Sequence, residues 1–339
     1  MSVTHHEIKD DDDGMRLDRW LKQNFPELRF GEMQKLLRSG QIRLDGKRVK
    51  ANSHIEAGQN LRMPPLKKDD FQTAKKVSPK PAVKLDENMM RNLSQNILYE
   101  DNALAIINKP FGLSVQGGSG LKTHLELYLP ELFPKVEQMR LVHRLDRDTS
   151  GVLVLAKTKS AARELTSAFR GRSVRKIYRA LVEGIPEIPQ GKISAPMAKR
   201  GGRGNEEMKI VPDHAPDAQH AVTYYSVTDT VGKAVSLLTL KPVTGRTHQL
   251  RVHMAHIENP IIGDPKYGKN IVRDIHKEVP PCPEGVANKL HLHAMRIVFE
   301  HPKSGQEIDV TAPLKGHFKA SLQNLGLETG YQPDEEWDL

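Results

Sequence analysis

The sequence predicts an α+β protein of two domains, and three observations carry that prediction. The chain has 339 residues, well beyond the roughly 100–150 of a common single domain. Pro64 to Met90 holds six lysines and four prolines but few large apolar residues, a composition that reads as an extended linker. The apolar spacing differs across it: two short helices and a hairpin come before, and many alternating segments broken by a few amphipathic helices come after. The domains are therefore placed at residues 14–64 and 91–330, joined by 65–90, with residues 1–13 as a disordered acidic tail.

Composition narrows the class. Charged residues make up 27% and aromatic residues 5%, as in a soluble globular protein with polar interaction surfaces. No apolar run approaches the roughly 20 residues of a membrane span, and the amino terminus lacks the apolar core of a signal peptide. A cytoplasmic protein without a membrane partner is expected. One cysteine, Cys282, excludes a disulfide framework and a Cys-rich zinc site. The net charge of +9 points to a polyanionic partner. Between Arg16 and Arg62 there are eleven Lys or Arg and five Asp or Glu, so much of that excess lies in the first domain.

Taken in order, Leu17, Trp20 and Leu21 stand at i, i+3 and i+4, the spacing of one buried helical face. Met33, Leu36 and Leu37 repeat it, and Ser39-Gly40 ends that second helix. Gln41 to Val49 alternates around Asp45-Gly46 and reads as a hairpin, with one more short strand ending at Met63. Arg29, Lys35, Arg38, Arg43, Lys47, Arg48 and Lys50 form a basic surface able to track phosphates with little sequence reading.

Beyond the linker, Ile97 to Asn108 forms two strands about an Asp-Asn turn. The glycine-rich stretch Lys109–Gly120 follows, but its Gly-Leu-Lys-Thr lacks the Gly-Lys-Thr junction of a phosphate-binding P-loop. It reads instead as a tight turn that lets the backbone approach another element. Ser160–Phe169 is an amphipathic helix, Arg175–Val182 a strand carrying Tyr178, and Lys199–Asn205 a mobile basic loop. Ala221–Thr228 and Val235–Lys241 are further strands, Thr244-Gly245 opens a turn into a helix, and Ala294–Phe299, Glu307–Thr311 and a helix from His317 to Leu325 complete the order.

Two dense clusters carry the chemistry. In Leu141–Lys157, Asp146 lies between Arg144 and Arg147 in a polar turn that runs into the apolar strand Val152–Ala156. A turn at the end of a rigid strand suits a reactive side chain, and flanking guanidinium groups favour the charged form of a carboxylate. Asp146 is thus a candidate nucleophile or base, against the plainer alternative of a solvated ion-paired turn. In Thr244–His256, Arg246 and Arg251 near a helix start suit a carboxylate or phosphate. His248, His253 and His256 raise a metal site, but no His-Glu-x-x-His pattern occurs, and none is expected.

Three segments in fixed order resemble the pseudouridine synthases of the RluA family: Lys-Pro-x-Gly-Leu-x-Val at 109–115, His-Arg-Leu-Asp-x-x-Thr-Ser-Gly at 143–151, and Thr-Gly-Arg-Thr-His-Gln-Leu-Arg at 244–251. The resemblance covers about residues 91–325. The helix-hairpin domain in front is similar to an S4-type RNA-binding domain, the arrangement of the larger members. The spelling of the middle segment looks most like the C-type enzymes of large-subunit ribosomal RNA, whereas Met-Ala-His-Ile-x-x-Pro-x-x-Gly-Asp-Pro-x-Tyr-Gly at 254–268 is similar to the D type.

The resemblance implies a catalytic domain with a bent, mixed and mainly antiparallel sheet flanked by helices, a cleft across it, and no cofactor or metal. It implies that Asp146 is the catalytic aspartate, that Tyr178 stacks on a flipped uracil, and that Arg251 forms the ion pair holding Asp146. Arg144 would enter the RNA where the nucleotide has left, with Arg246, His143 and Lys109 in the RNA-binding and base-flipping set. The reaction it implies breaks the C1′–N1 bond of a uridine, turns the base and joins C5 to C1′, with Asp146 acting at C1′ as nucleophile or at C2′ as base. The partner implied is structured RNA, foremost large-subunit ribosomal RNA, met by a monomer. Two rivals stand beside this: a non-catalytic S4-type ribosome-assembly factor, and a glycosidic hydrolase that would need a second acid, for which Asp148 is the nearest candidate.

Overall fold

The computed structural model describes residues 3–66, 85–118, 121, 123–202, 206–268 and 283–330. The chain divides into two compact units, Met1–Lys84 and Leu85–Leu339.

In the first unit, β1 (Thr4–Glu7), α1 (Leu17–Asn24), α2 (Phe30–Arg38), β2 (Arg43–Leu44), β3 (Lys47–Arg48) and β4 (Asn60–Met63) follow in order. The sheet order is β1-β4-β2-β3. Leu17, Trp20 and Leu21 of α1 and Met33, Leu36 and Leu37 of α2 are buried in one core with Ile42, Leu61 and Met63. Asp45 and Gly46 both take positive φ, 48° and 75°, as a two-residue hairpin turn of the primed type requires.

The amino terminus departs from the disordered tail expected of it. Thr4–Glu7 pairs antiparallel with β4, Ile8 is buried, and the Trp20 indole N–H donates to Asp12 at 2.9 Å. Composition suggested too little apolar surface to pack, but backbone pairing with a free strand edge is indifferent to composition. A single apolar anchor, Ile8, joins the segment to the core.

The expected linker falls largely on residues 67–84, outside the described residues, and its far end is structured. There α3 (Glu87–Ser94) starts on Asp86, whose carboxylate accepts from the Asn88 and Met89 backbone N–H groups, a side-chain N-cap. The second unit continues with β5 (Ile97–Glu100), β6 (Leu104–Lys109), α4 (Leu129–Leu132), β7 (Arg140–Leu141), β8 (Ser150–Ala156), α5 (Lys159–Gly171) and β9 (Arg175–Glu183). It closes with β10 (Gln190–Ser194), β11 (Met197–Arg200), β12 (Glu207–Ile210), β13 (Val222–Val231), β14 (Val235–Pro242), α6 (Gln249–His256), β15 (Leu292–Glu300), β16 (Glu307–Thr311) and α7 (Gly316–Asn324).

A ten-stranded sheet runs β10-β13-β14-β9-β15-β8-β6-β5, with β16 beside β15 and β7 beside β8. Its described pairings are antiparallel except β15 with β8, so the sheet is mixed and mainly antiparallel. Ala105, Ile107, Leu153 and Leu155 enter one core, while Leu104, Ile106, Val152 and Val154 enter another on the opposite face. Burial on both faces is why β8 reads as a continuous apolar run rather than an alternating one.

The expected mobile loop 199–205 is also corrected in its described part. Lys199 and Arg200 belong to β11, which pairs with β12, and Arg200 forms an ion pair with Asp217. The neighbouring Met197 and Ala198 supply the apolar anchor; residues 203–205 lie outside the described residues.

Candidate active site

The register of three strands fixes the frame of the site. Ala294 on β15 is the Cα partner of Gly151 on β8 and of Tyr178 on β9. At about 4.8 Å per strand, this sets Gly151, at the end of the segment that carries Asp146, roughly 10 Å from Tyr178 across β15. Gly151 has φ +110°, and a Cβ there would lie 2.1 Å from the Ala294 carbonyl oxygen. Only glycine permits so close an approach, which accounts for the glycine that ends the His143–Gly151 segment.

The turn carrying Asp146 is held from below. The Thr149 N–H donates to the Asp146 carbonyl at 3.2 Å, and the Gly112 N–H to the Arg147 carbonyl at 3.0 Å. Lys109, expected among the RNA contacts, is fully buried. Its Nζ donates to the carbonyls of Pro110, Leu113 and Arg147 at 2.9, 2.9 and 3.0 Å. Burial pulls its pKa down to about 7 against the opposing influence of Asp148 and Asp146. Three carbonyls converging from two loops take it out of reach of RNA, so Lys109 organises the turn.

His143 is likewise committed inward. Its Nε2 accepts from the Val154 N–H at 2.9 Å, and its ring stacks on Phe169 at 4.3 Å. Burial, helped by Lys176, takes its pKa to about 3. It is therefore a neutral wall of the cleft rather than a cation for phosphate.

A cleft of about 510 Å³ opens over this frame, within the size range of small-molecule sites. Of the described residues lining it, Asp146 is the one acid, set among Arg144, Arg170, Arg172, Lys176, Arg246 and Arg251. An adjoining cleft of about 450 Å³ shares Asp146, Arg144, His248 and Arg251 and is lined by Ser114–Gly118 of the glycine-rich stretch. Asp146 thus stands between two openings in a cationic surround. Arg144 is exposed and lines both clefts. Tyr178 lines the larger one half-buried, and burial, then the Asp146 charge, raises its pKa, so the hydroxyl keeps its proton. Asp148 pairs with Arg147 at 3.0 Å and lines the second of these clefts but not the larger one.

Arg251 is the best-held charge of the site, and its main partner is one that sequence reasoning missed. Its Nε and Nη2 donate to Asp264 Oδ2 and Oδ1, both at 2.7 Å, whereas Nη1 reaches Asp146 Oδ2 at 3.5 Å. The fork-to-carboxylate match with Asp264 is the stronger geometry. Asp264 Oδ1 also accepts from the Lys266 and Tyr267 N–H groups at 2.9 and 3.1 Å. Burial works against both charges, but the pair more than offsets it, so Arg251 is raised and Asp264 lowered. Gly263 shapes this loop, since a Cβ there would lie 2.1 Å from the Lys289 carbonyl oxygen. The signal was present in Gly-Asp-Pro-x-Tyr-Gly, together with the rule that a buried arginine needs an acid.

The turn before α6 is pinned to β13. Gln249 Oε1 accepts from Thr244 Oγ1 and the Arg246 N–H, and its Nε2 donates to the Val222 carbonyl and Thr223 Oγ1. Arg246 Nε donates to the His220 carbonyl at 3.1 Å, leaving the guanidinium at the cleft edge. The three histidines of this segment do not converge. His253 turns to Thr223 and Ala195, and His248 Nδ1 meets the Tyr267 hydroxyl at 2.8 Å. Among the described residues no group of three or more His, Cys, Asp or Glu is placed to hold a metal ion, and no helix is long and apolar enough to cross a membrane.

In the first unit Arg29, Lys35, Arg38, Lys47, Arg48 and Lys50 are exposed. Arg43 is the exception among the expected contacts. It is half-buried, with Nε and Nη1 donating to the Gly40 and Gly46 carbonyls at 3.0 and 3.1 Å. Gly40 precedes the hairpin and Gly46 lies in its turn, so Arg43 braces it instead of facing solvent.

Comparison with known proteins adds to this geometry. A family model described as RNA pseudouridylate synthase matches residues 103–256, and one described as S4 domain matches residues 15–61. The chain is 38% identical over 326 residues to the ribosomal large subunit pseudouridine synthase C of Buchnera aphidicola subsp. Baizongia pistaciae, covering 96% of this chain and 98% of that protein. It is 36% identical over 319 residues to the protein of the same description from Vibrio cholerae, covering 94% and 96%. Among solved structures, human RNA pseudouridylate synthase domain containing 4 superposes with a TM-score of 0.58 at 32% identity, covering 71% of this chain and 97% of that one.

Proposed function

Because the chain belongs to the RNA pseudouridylate synthase family and carries an S4 domain, we propose that it isomerises uridines of large-subunit ribosomal RNA with Asp146 as the reacting group. That it is a pseudouridine synthase acting on RNA follows from the family; the substrate and the residue roles are the reading put forward here. The large-subunit assignment is supported by the relatives described as C-type enzymes of that subunit.

One observation carries the residue roles: of the described residues, a single carboxylate lines a cleft otherwise rimmed by five arginines and a lysine. A polyanion is drawn to such a rim, and one carboxylate suffices for an isomerisation in which no water is added. A glycosidic hydrolase needs two acids flanking the bond, and Asp148 is tied to Arg147. The target base must leave the helix before its sugar can be reached, at a cost of a few kcal/mol. Exposed Arg144, which lines both clefts, would enter the vacated space, and the Tyr178 ring would stack on the extruded base. Asp146 then acts at C1′ or C2′ while Arg251, fixed by Asp264, holds it in position. On the same reading the enzyme works in the cytoplasm, where its ribosomal RNA substrate is found.

Mapping pseudouridines chemically in ribosomal and transfer RNA, with and without the gene, tests the reading. The expected result is the loss of discrete large-subunit sites, restored by the wild-type gene but not by Asp146→Asn. An unchanged map would favour a non-catalytic assembly factor, and loss confined to transfer RNA would overturn the substrate.

A further inference from the structure

Arg251 is not the only side chain facing Asp146. His248 Nε2 lies 3.7 Å from Asp146 Oδ2, on the same carboxylate oxygen that Arg251 approaches. We propose that His248 is a second positioning residue for Asp146, locked by Tyr267 in the tautomer that presents its Nε2–H to the carboxylate. This rests on reading Asp146 as the reacting group.

A chain of hydrogen bonds favours that tautomer. The Met208 backbone N–H can only donate, and it meets the Tyr267 hydroxyl oxygen at 3.3 Å. That oxygen is thereby an acceptor, and its own proton is free to point at His248 Nδ1, 2.8 Å away. Burial raises the Tyr267 pKa, so the hydroxyl retains that proton. Burial also lowers the His248 pKa, against the pull of Asp146, so the ring is neutral and carries one proton. With Nδ1 accepting, that proton sits on Nε2, the atom that faces Asp146.

Two further features mark His248 as held in place. It has φ +55°, an uncommon conformation for a non-glycine residue that persists only when its surroundings determine it. The Gln249 side chain supplies that determination through Thr244, Val222 and Thr223. Tyr267 serves both arms: its ring also lies 5.1 Å from the Arg251 guanidinium. The 3.7 Å gap exceeds a hydrogen bond, as is common for catalytic contacts that tighten when substrate closes the site. His248 and Arg251 together would hold Asp146 Oδ2 from two directions, which one contact cannot.

The first test reads the tautomer directly. Long-range proton–nitrogen spectra of histidine-labelled protein at neutral pH should show His248 as the Nε2–H form in the wild type. Tyr267→Phe, which keeps the ring beside Arg251 but removes the hydroxyl, should convert it to a mixture. An Nδ1–H form in the wild type, or no change in Tyr267→Phe, would overturn the proposal. The second test uses single-turnover kinetics on target RNA. His248→Ala should slow isomerisation about 10- to 100-fold, the scale for a reacting group that loses its aim, with RNA affinity within about twofold. His248→Gln, which keeps a donor at similar reach, should recover much of the rate. Equal losses in Ala and Gln would assign His248 a merely structural role. Asp146→Ala is run in parallel: if it is inactive while His248→Ala and Tyr267→Phe turn over normally, the relay fails alone. If Asp146→Ala itself turns over, the reading of Asp146 fails, while the spectra still report on the tautomer.

Discussion

The two units use charge in opposite ways. In the first, Lys35, Arg38, Lys47 and Arg48 stand exposed on a small helix-hairpin scaffold, and Lys35, 69% exposed, pairs locally with Glu32. In the second, the ion pair between Arg251 and Asp264 is buried, at 8% and 0% side-chain exposure, and each partner is fixed by several hydrogen bonds. Exposed cations are worth little singly and act by number. A buried pair is all or nothing, because removing one member strands the other. On the proposed reading, binding is spread over many replaceable residues, and chemistry is concentrated in a few that are not.

The sharpest way to break this contrast is at Asp146. Asp146→Asn keeps the size of the side chain and removes the carboxylate, so turnover on ribosomal RNA transcripts should fall below detection while gel-shift affinity stays within about twofold. Residual turnover above about one hundredth of wild type would mean that the chemistry is shared with another group.

Asp264 comes next. Asp264→Ala leaves Arg251 buried without its bidentate partner, a change that costs about 3–5 kcal/mol. Denaturant unfolding of the variant should show that loss, and its turnover should fall with it. Asp264→Asn restores part of the hydrogen bonding and should lie between.

Acid should separate the units as well. His253, His291 and His293 are buried, and burial takes each pKa to about 4. Unfolded, each binds a proton near 6.5. Between pH 6.5 and 4 the unfolded state therefore holds more protons, so stability falls as pH drops, by up to about 1.4 kcal/mol per pH unit for each ring. Unfolding curves at pH 7 and 5.5 should differ by on the order of 3 kcal/mol. The described part of the first unit has no buried histidine, so the loss is expected in the catalytic unit.

This contrast also explains what could be read from the chain alone. Asp146, Arg144, Arg246 and Arg251 lie in dense local patterns, whereas Tyr178, an ordinary strand aromatic by itself, stood out only through the family resemblance; the structure gathers all five around one cleft. Asp264 escaped because its motif, Gly-Asp-Pro-x-Tyr-Gly, marks a loop without saying that the acid meets a buried arginine; that choice is made by the loop after α6 folding back. Lys109 was misread for a related reason. A lysine opening a glycine-rich stretch looks exposed, and its burial depends on three carbonyls that only the tertiary fold assembles. Residues 4–7 were taken for part of a tail because composition reports side chains, whereas the strand they form is held by backbone pairing. The helices Leu17–Asn24, Phe30–Arg38 and Lys159–Gly171 were legible because an apolar face defines them, whereas Glu87–Ser94 and the single turn Leu129–Leu132 went unread.

The smallest expected effects lie in the first unit, and they sharpen the contrast by dividing its own cations. Lys35→Ala combined with Arg38→Ala should raise KM for ribosomal RNA a few-fold with kcat unchanged. The salt dependence of binding should weaken by roughly 0.7–0.9 in log–log slope for each phosphate no longer neutralised. Arg43→Ala should do neither. Its guanidinium is engaged by the Gly40 and Gly46 carbonyls, so its removal should cost about 1 kcal/mol of stability in the first unit and leave the salt slope of RNA binding as it was. If Arg43→Ala instead lowered the slope as much as the other two, its charge would be reaching RNA from within the hairpin. The line between bracing and binding residues would then have to be redrawn.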